Sequence, residues 1–330
     1  MTMLDSYGNR AMSAASASAS ASAAVKRRGD AASFPQKPVA QLLGSNGPIH
    51  AVTYSASPGT YILTGSADRS IPGRLIQTYT SHSYDVLSLA ISADNARFAS
   101  SGGDRAVFLW DVATAATTRR FAGHAGRVNA VAFAGAGDAL VVSAGLDTTV
   151  RVWDTRSGGG SSAKPVQTLA EARDAVTSLA VTSDEIVAGS VDGRVRSYDV
   201  RTGKVTTDVM PASVTSLCLG RDGRTVLVGS LDSRVRLMDR GGGGCLRTNE
   251  GNQGRVWAWD LLSGRLVAKV AVPWGPATGN DGRRKMVIGR DGKEKERKNV
   301  ISCLAWKEGG FGNQFCVGGT SGVVTVFGEG

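Results

Sequence analysis

One short pattern recurs along this chain. An alternating apolar strand leads into a Gly- or Ser-rich turn holding an aspartate, and a second strand follows that ends in an aromatic residue and another Asp. The turn aspartates are Asp68, Asp104, Asp147, Asp192 and Asp232, spaced by 36, 43, 45 and 40 residues. The strand-ending pairs are Trp110-Asp111, Trp153-Asp154, Tyr198-Asp199, Met238-Asp239 and Trp259-Asp260. Self-similarity at a fixed period means that each repeat is one supersecondary unit, unable to bury its hydrophobic faces alone and stable only when stacked on its neighbours. Helical repeats of similar length are excluded by the local period: apolar residues alternate two by two, as in Val150 and Val152, or Val195 between Arg194 and Arg196.

A period of roughly 40–45 residues closed by Trp-Asp is the signature of WD40 β-propeller blades. The expected fold is therefore all-β, each unit being four antiparallel strands. In the third unit these are residues 128–133, 140–143, 149–153 and 165–169, from innermost to outermost. Innermost strands of other units are expected at 86–91, 176–181, 214–219 and 300–306. The C-terminal unit has only three strands, ending at 323–327, while a lone strand at 39–43 precedes the first unit. Residues 39–43 are expected to complete the last blade, which joins the chain ends and removes an exposed sheet edge.

Two units are damaged. In unit one, Ser70-Ile71 should open the third strand, but Pro72-Gly73 follows at once and no Trp-Asp pair appears. Only 21 residues separate Asp239 from Asp260, so unit six keeps strands at 255–259 and 265–270 and lacks its two innermost strands. Their absence should expose apolar side chains on the flanking blades.

The chain has 330 residues and a net charge of +10. Residues 1–38 and 273–299 supply +3 and +4 of that excess. The first is an Ala/Ser-rich basic tail, expected to be disordered, in which Lys26-Arg27-Arg28 reads as a solvated patch. The second is a long basic loop without strand patterning, set within a propeller domain spanning 39–330. A loop of that length is a candidate contact for an acidic partner or an RNA backbone. No stretch is apolar enough for a membrane helix and no apolar signal region opens the chain, which points away from membranes and secretion. Cys218, Cys245, Cys303 and Cys316 fall at irregular spacings without a C-x-x-C pair, so neither a disulfide framework nor a metal site is expected. A reducing cytoplasm or nucleus is the expected setting.

Units two and three each hold a His, a Ser, an Asp and a Trp: His82, Ser100, Asp104 and Trp110, then His124, Ser143, Asp147 and Trp153. A hydrolase uses the first three types, but here His enters the innermost strand, Ser lies within the second strand and Asp caps the next turn. That arrangement favours a structural network running indole, hydroxyl, imidazole, carboxylate over catalysis. No catalytic residue, cofactor site or metal ligand is assigned; Gly241–Gly244 lacks a following helix and reads as a turn. Units four and five lack the His, have Ala188 and Val228 in place of the Ser, and are expected to rely on apolar stacking. His50, without matching partners, reads as a surface or strand residue. The third-strand arginines Arg151, Arg194, Arg196, Arg234 and Arg236 are expected in outer grooves, solvated or locally paired. The candidate partner face is the Asp-turn end of the blades: Tyr84, Arg127 and Asp174 enter innermost strands, and Gly103, Leu146, Val191 and Leu231 precede the turn aspartates.

Several strings resemble one WD40 family, the mitogen-activated protein kinase organizer proteins: QTYTSHSYDVL at 77–87, SGGDRAVFLWDV at 101–112 and FAGHAGRVN at 121–129, then PVQTLAEARDAV at 165–176, AGSVDGRVRSYDVR at 188–201 and SLDSRVRLMD at 230–239. The resemblance implies a seven-bladed scaffold without enzymatic activity that holds components of a kinase cascade together. It also implies association with spliceosomal particles and a nuclear role in pre-mRNA splicing. Multiple protein partners are expected, with a monomer acting inside larger assemblies in the cytoplasm and nucleus. The alternative is a direct RNA-binding component of a splicing ribonucleoprotein.

Overall fold

Runs of Val, Thr and aromatic residues with period two favour pleated sheet, and apart from one 3-10 turn at Ala136–Asp138 every described element is a strand. The computed structural model describes residues 34–42, 47–67, 77–156, 164–220, 223–242, 244–250, 255–260, 263, 265–273, 286–288, 294–296, 300–307 and 313–328. The Ala/Ser tract, Lys26-Arg27-Arg28, Asp68, Ser70-Ile71 and Pro72-Gly73 lie outside the described residues, as do Leu43 and Gly243.

Units two to five and the C-terminal unit form five four-stranded antiparallel blades. In unit three the strands are Val128–Ala134, Leu140–Gly145, Val150–Asp154 and Gln167–Leu169, in that spatial order. The innermost strands of units two, four and five are Val86–Ile91, Val176–Val181 and Val214–Leu219, and that of the C-terminal unit is Ile301–Trp306. Unit one contributes the pair Ile49–Tyr54 and Ile62–Ser66. Innermost strands touch one another in the order C-terminal unit, unit one, two, three, four, five.

This stacking replaces a single core with a series of seams. Between units two and three, Ala99, Val107, Leu109 and Phe121 meet Val128, Val131, Val141 and Trp153. Between three and four, Val142, Val150 and Leu169 meet Val176, Ile186 and Tyr198. Val187, Val195 and Met210 of unit four meet Val214, Val226 and Met238 of unit five. Trp153 and Phe121 are among the most completely buried side chains, each contributing about 1.5–3 kcal/mol by leaving water.

A bulge sits at the second residue of each described innermost strand, and in three of them it adds a polar clip across the seam. The ladder skips Leu87, Asn129, Thr177, Thr215, His50 and Ser302, freeing those side chains to reach sideways. Asn129 Nδ2 donates to the Val176 carbonyl at 2.8 Å, and Thr177 Oγ1 to the Val214 carbonyl at 2.8 Å. The Ser302 hydroxyl donates to the Ile49 carbonyl. His50 is thus a strand residue at a seam, its Nε2 3.8 Å from Asp85. Thr215, at the same position in unit five, is exposed.

The chain ends meet in one blade. Lys37–Leu42 pairs with Val324–Gly328, with Gln41 opposite Thr325 and Leu42 opposite Val324. The strand begins two residues ahead of the expected 39, through Pro38. It is the outermost strand of its sheet, where a missing N–H costs no ladder bond.

Unit six holds only Arg255–Trp259 and Leu266–Ala271 among the described residues. Its anchors are outer strands: Arg247 of unit five donates to the Ser263 carbonyl, and Gln41 Nε2 donates to the Pro273 carbonyl at 3.1 Å. As the shortened spacing predicted, flanking inner strands are left open, with Leu304 48% and Trp306 39% exposed. One expectation is corrected: the basic segment 273–299 contains a small hairpin, Met286–Ile288 against Glu294–Glu296. The apolar Met-Val-Ile run is long enough for one short strand, and a glycine-containing stretch separates it from its partner.

Removing residues 1–42 deletes the closing strand and bares the Val324–Gly328 edge. The midpoint of thermal unfolding, followed by circular dichroism, is expected to fall by ~10 °C or more; an unchanged melt would show that this pairing contributes little.

Candidate functional site

The His, Ser, Asp and Trp side chains of units two and three come together as hydrogen-bonded chains. Trp110 Nε1 donates to Ser100 Oγ at 2.8 Å, Ser100 Oγ lies 2.7 Å from His82 Nε2, and His82 Nδ1 lies 2.7 Å from Asp104 Oδ2. In unit three the distances are 2.8 Å for Trp153 to Ser143, 2.8 Å for Ser143 to His124, and 2.9 Å for His124 to Asp147. An indole nitrogen can only donate, so the hydroxyl accepts from it and donates to Nε2, leaving the Nδ1 proton for the carboxylate. Burial holds the His124 imidazole below the usual histidine range, although Asp147 pulls the other way. Burial would raise Asp147, but hydrogen bonds from His124, the Ala125 N–H and Thr149 hold its carboxyl below the ordinary range.

The same residue types could serve acyl transfer, but the hydroxyl that would attack is sealed. Ser100 is 2% exposed and Ser143 0%. Each is already committed to an indole and an imidazole, so neither can meet a substrate.

Units four and five correct the expectation of apolar stacking alone. Arg196, 3% exposed, donates from Nη1 to Ser190 Oγ at 2.8 Å and from Nη2 to Asp192 Oδ2 at 2.7 Å. Arg236, 6% exposed, makes the same pair of contacts to Ser230 and Asp232. A guanidinium on the middle of the third strand thus does what imidazole and indole do next door. The Ser has moved from four residues before the Asp to two before it. Both units carry the string Ser-x-Asp-x-Arg-Val-Arg, at 190–196 and 230–236, and that recurrence was the available signal. Of the five third-strand arginines, Arg196 and Arg236 are therefore buried, not in outer grooves. Arg151 and Arg194 are half-buried, Arg151 beside Asp147, and Arg234 is exposed.

These pinned turns build one end of the molecule. The residue before each turn aspartate donates its N–H to the residue that precedes the innermost strand: Gly103 to Asp85 at 3.0 Å, Leu146 to Arg127 at 2.8 Å, Val191 to Ala175 at 2.9 Å and Leu231 to Ser213 at 2.9 Å. Ala67 to Pro48 at 3.1 Å and Thr320 to Val300 at 3.0 Å repeat the tie in unit one and the C-terminal unit. The two loop sets are thus locked side by side. All seven candidate face residues sit on them: Tyr84 is 64%, Leu146 48% and Leu231 69% exposed, Arg127 and Asp174 are exposed, and Gly103 and Val191 are partly covered. Tyr84 lies over Gly103, where an added Cβ would come within 2.9 Å of the tyrosine Cβ. Among the described residues no cluster of His, Cys, Asp and Glu could hold a metal ion. No helix among them is long and apolar enough to cross a membrane.

The WD domain, G-beta repeat family matches residues 73–111, 116–154, 163–199 and 205–239. WD repeat domain-containing protein 83 of Mus musculus is 40% identical over 268 residues, covering 72% of this chain and 84% of that protein. Its homolog from Dictyostelium discoideum is 26% identical over 288 residues, 70% of this chain and 87% of that protein. A U5 small nuclear ribonucleoprotein 40 kDa protein of Dictyostelium discoideum is 29% identical over 175 residues, about half of each chain (50% and 47%). The chain belongs to the WD repeat domain-containing protein 83 family, the mitogen-activated protein kinase organizer proteins.

Burial opposes ionisation of Asp192, but Arg196, Ser190 and the Arg173 N–H outweigh it and hold the carboxyl at about 2. A depressed carboxylate stabilises the fold fully above its ordinary range, and that contribution is lost as pH falls through about 2. Asp192→Asn is expected to cost about 3–5 kcal/mol near neutrality by stranding a buried arginine. In urea titrations the gap to the parent should close at the acid limit. Ser143→Ala should cost about 1–3 kcal/mol; a loss much below that would mean the indole and imidazole find other partners.

Proposed function

We propose that this chain is a non-enzymatic scaffold that gathers components of a mitogen-activated protein kinase cascade and, in the nucleus, of the pre-mRNA splicing machinery. Family membership supports the kinase side, and the relative named as a U5 small nuclear ribonucleoprotein protein supports the splicing side. On this reading the chain works in cytoplasm and nucleus, as a monomer within larger assemblies. The two-stranded sheets of units one and six then stand for the remaining blades of a seven-bladed ring.

The observation that carries the reading is the turn end of units two to five. Tyr84, Leu146 and Leu231 project from turns that main-chain hydrogen bonds and buried networks hold rigid. Large apolar side chains on an immobile base lose little entropy on contact and make effective anchors for protein partners. Several such turns on one rigid body let separate partners dock at once, which raises their effective concentrations toward each other.

Arg127→Glu and Leu146→Glu are expected to abolish recovery of partner proteins in affinity purification with mass spectrometry, while the circular-dichroism melt stays unchanged. Undiminished recovery would move the contact to another surface. The second reading, direct RNA binding through the basic segment 273–299, predicts tight binding of RNA by the purified protein with a steep salt slope, lost when that segment is deleted.

A further inference from the structure

The turn end carries free positive charge as well as apolar side chains. Arg105, Arg127 and Arg173 are all exposed, and they stand in units two, three and four, whose innermost strands are successive neighbours. Among the described residues none of the three guanidinium groups is in an ion pair. The carboxylates of this end among the described residues have other partners. Asp104 and Asp147 hold histidines, and Asp192 and Asp232 hold buried arginines. Asp85 faces His50, Asp174 accepts the Ala175 N–H, and Glu171 lies against the Tyr198 phenol.

Arg105 also occupies a costly backbone position. It follows the turn aspartate at φ 59°, in the left-handed region where unit four has Gly193 at φ 72°. Thr148 and Ser233 take the same conformation in units three and five, at φ 64° and 63°, so the turn itself imposes it and Arg105 presents its side chain from a fixed base.

We propose that this end receives an acidic segment of a partner protein, its carboxylates paired with Arg105, Arg127 and Arg173 and its intervening apolar side chains seated on Tyr84, Leu146 and Leu231. The inference rests on the scaffold reading above and specifies the chemistry of the partner. Alternating charge and aliphatic surface suits a peptide. Single-stranded RNA would require stacking platforms, and Tyr84 is the one aromatic among these exposed anchors.

A displayed library of random 12-residue peptides, selected on the full chain, tests it. Enriched sequences should interleave Asp or Glu with Leu, Ile or Phe, and should weaken as salt rises. The variant combining Arg105→Gly, Arg127→Glu and Arg173→Glu should bind them about tenfold more weakly or worse. Its melt should not fall, because glycine relieves the left-handed turn and the other two side chains are exposed. Neutral or basic enriched sequences, no enrichment, or equal binding by the triple variant would overturn the proposal. So would a uridine 12-mer that outcompetes the selected peptides. In cells, partner recovery lost with Arg127→Glu and with Leu146→Glu but kept with a variant combining only Arg105→Gly and Arg173→Glu would defeat the acidic-segment inference alone; recovery kept with all of them would defeat the scaffold face itself.

Discussion

A blade is a sheet with two apolar faces and no helix to cover either, so burial between neighbours is the constraint on which the rest of this structure depends. The larger buried clusters among the described residues straddle boundaries between units, as where Trp153 of unit three meets Leu109 and Phe121 of unit two. Apolar stacking alone would allow one sheet to slide over the next. The bulge at the second residue of the innermost strand removes that freedom, because Asn129, Thr177 and Ser302 each reach a carbonyl fixed in the following unit. Non-directional packing supplies most of the free energy, and the directional clips set the alignment.

The turn aspartates solve a second problem. A tight connection between strands exposes main-chain groups and would be mobile without a side chain to hold it. Two chemistries provide that hold. One passes through Trp, Ser and His, the other through a single arginine and a Ser moved two residues along. Both bury the charged or polar chain, satisfy nearly every member and leave the residue before the aspartate at the surface. The surface anchors Leu146 and Leu231 are therefore rigid because of what lies beneath them.

Strand positions were legible in the sequence where the period-two pattern was unbroken. The innermost strands of units two, four and five fall on the expected residues, and residues 37–42 close the last blade. The histidine networks were legible because four residue types recur at matching offsets in units two and three. Arg196 and Arg236 were not, since an arginine between valines looks like an outward-facing strand residue until the Ser two places before the Asp is noticed. The hairpin at Met286–Ile288 escaped because three apolar residues are too few to show alternation. The bulge clips were hidden for another reason: a polar second residue in an inner strand has meaning only when the neighbouring carbonyl is known.

The shared blade at the chain ends ties assembly to biosynthesis. Residues 37–42 emerge from the ribosome nearly three hundred residues ahead of their partners at 324–328. That strand must stay unpaired until residues 324–328 have been made. Closure is thus the most non-local event in the molecule, and such pairing is slow to form. A nascent chain halted before residue 324 leaves that blade with an unsealed sheet edge, open to pairing with other chains.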